Sequence, residues 1–185
     1  MNTQKKLVIL DRDGVINADS DAFIKSPDEW IALPGSLEAI ARLNQAGYRV
    51  VVASNQSGIG RGLFDMSALN AMHTKMNRAL AAVGGRIDAV FFCPHTASDH
   101  CECRKPKPGL LRTIIERFDI EPTETAMVGD ALRDLVAGAA VGMRLHLVLT
   151  GKGQQTLASG KLPADVKVHK DLWAFALDFL TQADE

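Results

Sequence analysis

Short, nearly continuous apolar runs alternate with amphipathic stretches along this chain. Residues 6–10, 48–53, 89–92, 125–128 and 144–149 are rich in Val, Ile, Leu and Phe with few polar interruptions, as expected of strands covered on both faces. Between them apolar residues recur every three or four positions. Leu37, Ile40, Ala41 and Leu43 follow Pro34-Gly35-Ser36 and end at Gly47, and Leu69, Met72, Met76 and Leu80 follow Asp65 and Ser67. Leu110, Leu111, Ile114, Ile115 and Phe118 follow Pro108. Leu132, Leu135, Val136 and Ala139 make a fourth set, and Leu172, Phe175, Ala176 and Phe179 a fifth. Each spacing predicts a helix with one buried face. The alternation predicts an α/β fold of three layers, a Rossmannoid parallel sheet of at least five strands with helices on both faces. Residues 151–163 are polar and read as a loop. The longest connection, residues 14–34, is only loop-sized. A single domain over residues 1–185, with no separate cap domain and open access to the sheet edge, is therefore expected.

Composition narrows the functional classes. In 185 residues, 46% hydrophobic and 23% charged is the balance of an ordinary globular chain, which argues against disorder and coiled coil. A net charge of -1, from 21 basic and 22 acidic residues, leaves no electrostatic footprint for nucleic acid or an anionic membrane. No apolar run approaches the roughly 20 residues of a membrane span, and the first ten residues lack a signal-peptide core. A cytoplasmic monomer acting on a small molecule, with no nucleic-acid or membrane partner, is the expectation.

Polar chemistry concentrates at the strand ends, where ligands of open α/β sheets bind. The first strand runs into Asp11-Arg12-Asp13-Gly14, with carboxylates where a dinucleotide or P-loop fold would carry glycines. Two carboxylates this close repel unless a cation offsets them, and Mg²⁺ prefers oxygen ligands. Asp130 follows the fourth strand, with Asp134 one helical turn later. Ser54-Asn55-Gln56-Ser57-Gly58 follows the second strand and offers donors suited to a phosphate. The glycines of residues 58–62 read as mobility, and Arg104-Lys105 supplies cations before the third helix. Each segment alone also reads as a polar turn. Their repetition at successive strand ends points to a site.

Taken in order, Asp11-x-Asp13-Gly14, Ser54, Lys105 and Gly129-Asp130 with Asp134 resemble the four motifs of the haloacid dehalogenase superfamily of phosphotransferases, over almost the whole chain. The resemblance implies that Asp11 is a nucleophile forming an aspartyl-phosphate and that Asp13 is the general acid and base. It implies Mg²⁺ held by Asp11, the Asp13 carbonyl oxygen and Asp130, with Asp134 in support. Ser54, Asn55, Gln56, Ser57 and Lys105 would meet the phosphoryl group, and Arg104 would bind the substrate.

Three cysteines and two histidines crowd into residues 93–103. Cys93-Pro94-His95 and Cys101-Glu102-Cys103 form two chelating pairs, and three thiolates with one imidazole make a closed Cys₃His set of the structural zinc type. His100 is a rival fourth ligand. Zn²⁺ here would order a loop leading directly into Arg104 and Lys105. His73, His146 and His169 show no partner in the sequence and read as surface or core histidines.

A zinc loop entering Cys-Arg-Lys-Pro resembles one branch of that superfamily, whose members dephosphorylate a heptose 1,7-bisphosphate in lipopolysaccharide precursor synthesis or histidinol phosphate. Residues 54–62, Ser-Asn-Gln-Ser-Gly-Ile-Gly-Arg-Gly, are similar to the heptose members. The five-residue spacer between His95 and Cys101, and Ala131 where some heptose members carry lysine, depart from them. A non-catalytic phosphosugar-binding module is the alternative of another class.

Overall fold

The computed structural model describes residues 6–183, and over them the alternation of apolar and amphipathic segments becomes a covered sheet. The leaderless start expected from the first ten residues rests in part on residues 1–5, which lie outside the described residues. Among the described residues the strands are β1 (Leu7–Leu10), β2 (Arg49–Asn55), β3 (Ala89–Cys93), β4 (Ala126–Gly129), β5 (Arg144–Val148) and β6 (Lys167–His169). All pair in parallel, in the order β3-β2-β1-β4-β5-β6. The chain builds outward from β1 to β3, then returns to lay β4 on the other side of β1. That reversal opens a crevice beyond the carboxyl ends of β1 and β4. The register pairs Leu10 with Val52 and Val128, so Asp11, Ser54 and Asp130 leave the sheet along one edge.

The helices are α1 (Ser36–Gln45), α2 (Ser57–Gly60), α3 (Met66–Ala82), α4 (Gly109–Phe118), α5 (Leu132–Ala139), α6 (Gly153–Ala158) and α7 (Leu172–Ala183). The period-2 alternation of strands sorts the core onto two faces. Val8, Leu10, Val50 and Val52 pack with Ile40, Leu43, Met72, Met76, Phe175 and Phe179 of α1, α3 and α7. Leu7, Ile9, Val51 and Ala53 pack with Leu111, Ile114 and Leu135 of α4 and α5. Full burial of side chains of this size contributes about 1.5–3 kcal/mol each. Met72 and Met76 of α3 are core residues, while Met66 at its start is exposed.

The predicted strands and helices form, with four differences, the first being the short helix α2 in the glycine-rich stretch that reads as mobile. Strand β2 runs on to Asn55 because Ser54 and Asn55 pair with Phe92 and Cys93. Strand β6 has three residues, of which only His169 is buried, so it carries no apolar signal. Helix α6 lies in the stretch that reads as a loop, and its one large apolar residue, Leu157, is exposed. Among the described residues no helix is long and apolar enough to cross a membrane. Residues 14–34 form an irregular connection whose Ile16, Ile24 and Trp30 are buried against the core.

Candidate active site and metal clusters

Asp11 ends β1 with its backbone N–H still bonded to Val128 O at 2.9 Å, so the sheet itself fixes this side chain. Oδ1 accepts from Arg12 N at 2.8 Å and lies 3.1 Å from Lys105 Nζ. Lys105 is fully buried and spends its ammonium on three oxygens, Ala53 O at 2.6 Å, Asp134 Oδ1 at 2.7 Å and Asp11 Oδ1. Its backbone is clamped by Asn55, whose Oδ1 accepts from Lys105 N at 3.0 Å and whose Nδ2 donates to Lys105 O at 2.9 Å. Asn55 thus works on the lysine as well as lining the cleft.

Asp130 is enclosed by segments from three parts of the chain. Its Oδ2 accepts from Lys152 N at 2.8 Å and its backbone O from Thr156 Oγ1 at 2.8 Å, while Thr150 Oγ1 donates to Gly14 O at 2.7 Å. Gly14 has φ +85°, and a Cβ built there would stand 2.1 Å from Asp130 Oδ2. Only glycine serves a backbone that must turn in the left-handed region and touch this carboxylate. Asp134 caps the start of α5 by accepting from Ala131 N at 3.1 Å, and its other oxygen holds Lys105.

Asp11, Asp130 and Asp134 each offer an oxygen within 4.8 Å of the others. Asp130 Oδ1 is buried with no hydrogen-bond partner among the described residues. Burial pushes Asp11 up to about 6, reinforced by the neighbouring Asp134 charge and opposed by Lys105 and Arg133. Burial and the charges of Asp11 and Asp134 push Asp130 up to about 8. Lys105 is raised even though burial alone would lower it, because Asp11 and Asp134 stabilise its charge. The pocket thus holds more negative charge than Lys105 and Arg133 offset, and an orphaned oxygen faces the deficit. A hard divalent cation fits such a donor set.

Asp13 points elsewhere and is 20% exposed. Its Oδ1 accepts from Asn17 Nδ2 at 2.9 Å and from Arg12 Nε at 2.9 Å, and Oδ2 from Gln56 Nε2 at 3.1 Å. Gln56 also donates to Ser54 Oγ at 2.7 Å, so its amide braces these two side chains. Ser54, Gln56 and Ser57 are all buried, and of the three only Ser57 lines the cleft.

The cleft encloses about 190 Å³. Asp11, Asp13, Asn55 and Ser57 border it, as do Asp19, Asp21 and Phe23 of the 14–34 connection, which stand where a cap would be. Four cationic side chains also face it, Arg61, Arg104, Arg133 and Lys152. The sequence points to Arg104, and Arg61 lies in the 54–62 stretch that resembles the heptose members; Arg133 and Lys152 belong to no recognised motif. Lys152 Nζ lies 3.7 Å from Asp19 and 3.5 Å from Asp21. A larger cavity of about 520 Å³, beside Tyr48, Arg144 and His146, contains none of the expected site residues.

The cysteine cluster borders the same edge through β3. Cys93 Sγ lies 3.6 Å from Cys101 Sγ and 2.9 Å from Cys103 Sγ, and the Cys101–Cys103 pair is 3.6 Å apart. His95 Nδ1 is 3.5 Å from Cys93 Sγ and 3.3 Å from Cys103 Sγ. These spacings approach the edge of a thiolate tetrahedron around zinc, about 3.8 Å for Zn–S bonds of about 2.3 Å. His95 is the histidine in the set, and His100 is not. Between the pairs, Asp99 Oδ2 accepts from Thr96 N at 2.6 Å and Oγ1 at 2.8 Å, which closes the loop. Gly60 of α2 docks on this loop, its N–H on Pro94 O at 3.0 Å, where a Cβ would come within 2.6 Å of that oxygen. The glycines that read as mobility therefore include one that permits close packing. Arg104 Nη1 reaches back to His95 O at 3.4 Å.

The family model described as haloacid dehalogenase-like hydrolase matches residues 4–142. The chain belongs to this family. Among its relatives is D-glycero-beta-D-manno-heptose-1,7-bisphosphate 7-phosphatase of Bordetella bronchiseptica, 59% identical over 178 residues, which cover 96% of this chain and 99% of that protein. The Pseudomonas aeruginosa protein of the same name is 50% identical over 172 residues, 93% of this chain and 96% of that one. The crystal structure of the B. bronchiseptica D,D-heptose 1,7-bisphosphate phosphatase, complexed with magnesium and phosphate, superimposes with a TM-score of 0.95, covering 96% of this chain and 99% of that chain at 59% identity. That of the Burkholderia thailandensis phosphatase, 65% identical with the same coverage, gives 0.78.

Proposed function

We propose that this hydrolase removes the 7-phosphate of D-glycero-β-D-manno-heptose 1,7-bisphosphate, acting as a single cytoplasmic domain. The observation that carries the reading is the cleft itself. Lys152 is paired with Asp19 and Asp21, which leaves the guanidinium groups of Arg61, Arg104 and Arg133 bordering the cleft of about 190 Å³ beside Asp11. A substrate with two phosphates matches that charge, whereas histidinol phosphate brings an ammonium group toward the same cations.

Asp11 attacks the phosphorus in line and forms an aspartyl-phosphate, dividing a slow hydrolysis into two easier steps. Lys105 and the Arg12 N–H orient its carboxylate. Asp13 gives a proton to the departing sugar oxygen, then takes one from the attacking water. Asn55 and Ser57, which border the cleft, stabilise the equatorial oxygens, with Ser54 and the charge of Lys105 buried behind them, and Arg104 binds the second phosphate through its planar fork. Asp11, Asp130 and the Asp13 carbonyl oxygen would hold Mg²⁺, with Asp134 anchoring Lys105 beside them. When bound, Mg²⁺ supplies positive charge that neutralises the phosphoryl group and the crowded carboxylates. Cys93, His95, Cys101 and Cys103 would hold a structural Zn²⁺ that fixes the approach of Arg104.

The test is kcat/KM for heptose 1,7-bisphosphate against histidinol phosphate with Mg²⁺ present. A preference of about 100-fold or more for the bisphosphate is expected. A preference for histidinol phosphate overturns the substrate, and saturable binding without phosphate release overturns the enzyme.

A further inference from the structure

Beneath the cleft, the side chain of Arg12 is fully buried and makes polar contacts through all three of its nitrogens. Nε and Nη2 lie 2.9 and 2.8 Å from Asp13 Oδ1, the acidic partner of Arg12 among the described residues. Nη2 also approaches Gln56 Oε1 at 3.5 Å. Nη1 points the other way, 3.2 Å from Nε2 of His73 on α3. A guanidinium has donors and no acceptor, so His73 Nε2 must accept, and the ring is the neutral tautomer with its proton on Nδ1. Burial, with the Arg12 charge adding to it, holds His73 down at about 4.

The arrangement runs in one direction. His73 accepts from Nη1, on the side facing away from the cleft, while Nε and Nη2 converge on one oxygen of Asp13 and Nη2 also reaches Gln56. A buried charged donor without an acceptor is costly. Removing the imidazole leaves Nη1 to seek another partner, and the guanidinium then turns away from Asp13. We propose that His73 is a positioning residue for the reaction. It acts through Arg12 to set where Asp13 delivers its proton to the leaving oxygen. The inference rests on the reading of Asp13 as general acid and base.

Single-turnover kinetics on two substrates test it, with Mg²⁺ saturating. Heptose 1,7-bisphosphate releases a sugar oxygen that needs a proton, whereas p-nitrophenyl phosphate releases a phenolate that departs without one. His73→Leu is expected to lower the first-turnover rate on the sugar about 10-fold, because small displacements of an acid cost up to about 100-fold. KM should stay within about 2-fold, and so should the first burst of p-nitrophenolate. His73→Asn, whose amide oxygen can accept from Nη1, should recover most of the loss. Arg12→Lys keeps the charge without the fork and should show the same substrate-selective loss; it carries the test if the leucine variant fails to fold. Equal losses on both substrates, or rates at the wild-type level, overturn the proposal. Asp13→Asn run in parallel separates the two readings. Full sugar turnover in that variant overturns both, while an inactive Asp13→Asn beside a wild-type His73→Leu overturns the positioning role alone.

Discussion

The two ligating clusters of this molecule are built in opposite ways. Cys93, His95, Cys101 and Cys103 come from one short loop and the end of one strand, and three of the four are partly exposed. Asp11, Asp130 and Asp134 come from the ends of β1 and β4 and the first turn of α5, and all three are buried. The thiol cluster needs no sheet to bring its members together; without an ion, a segment with little apolar content has little else to hold it. The carboxylate cluster is held by the sheet whether or not an ion is bound, and its members repel one another. A metal in the first cluster would supply shape, and one in the second would supply charge.

Asp11→Asn is the strongest test of that contrast. Replacing the nucleophile should lower turnover by at least about 10³-fold, measured as phosphate release. The melting temperature should hold or rise, because one of three mutually repelling buried carboxylates is gone. Substantial residual turnover excludes Asp11 as nucleophile, and a collapsed fold breaks the claim that the sheet alone holds this cluster.

Gly14→Ala tests geometry in place of charge. The added methyl would overlap Asp130 Oδ2 at a backbone φ of +85°. A fall of about 100-fold in kcat and a weaker Mg²⁺ dependence are expected, measured by titrating the metal. Unchanged kinetics mean that Asp130 can shift freely, contrary to a rigid cluster.

Replacing Cys101 and Cys103 together by serine should give the reverse signature. Metal analysis should fall from about one zinc per chain to none. We expect kcat/KM to drop roughly 10-fold, mainly through KM, as Arg104 loses its fixed approach, with a lowered melting temperature. A fully active protein that never contained zinc breaks the comparison at its root.

A buried pair at the opposite end of the sheet shows a third solution, in which burial is met by neutrality. His146 Nδ1 lies 3.0 Å from His169 Nε2, among Phe175 and Phe179. Burial, then His169 and nearby cations, pushes His146 down to about 3 from 6.5. The unfolded chain takes up a proton as pH falls through 6.5 and the folded chain does not. The stability present above that pH is therefore lost progressively toward pH 3. Between pH 7 and 5 this one group accounts for up to about 2 kcal/mol. His146→Leu should flatten that slope in urea titrations, and an unchanged slope assigns the acid sensitivity elsewhere.

How much was legible follows the same division. The five longer strands and five longer helices are readable because each carries its own apolar period, whereas β6 and α6 do not. That Cys93, Cys101 and Cys103 gather with a histidine is readable because their spacing is local. The alternative between His95 and His100 is decided by the loop closed through Thr96 and Asp99. Asp11 and Asp130 stand out as carboxylates at strand ends. The roles of their neighbours do not: Asn55 clamps the Lys105 backbone and Gln56 braces Asp13, and neither pairing has any trace in sequence spacing.

By itself the sequence determined the alternation of strand and helix, the crowding of cysteines and histidine in one loop and the kind of side chain at each strand end, since periodicity and short-range spacing are properties of neighbouring residues. The tertiary structure decided which of those ends meet. It set Lys105 between Asp11 and Asp134, gathered Arg61, Arg133 and Lys152 around the cleft, and laid His73 against Arg12. Such contacts depend on strand order and on where a helix crosses the sheet, and no window along the chain contains that information.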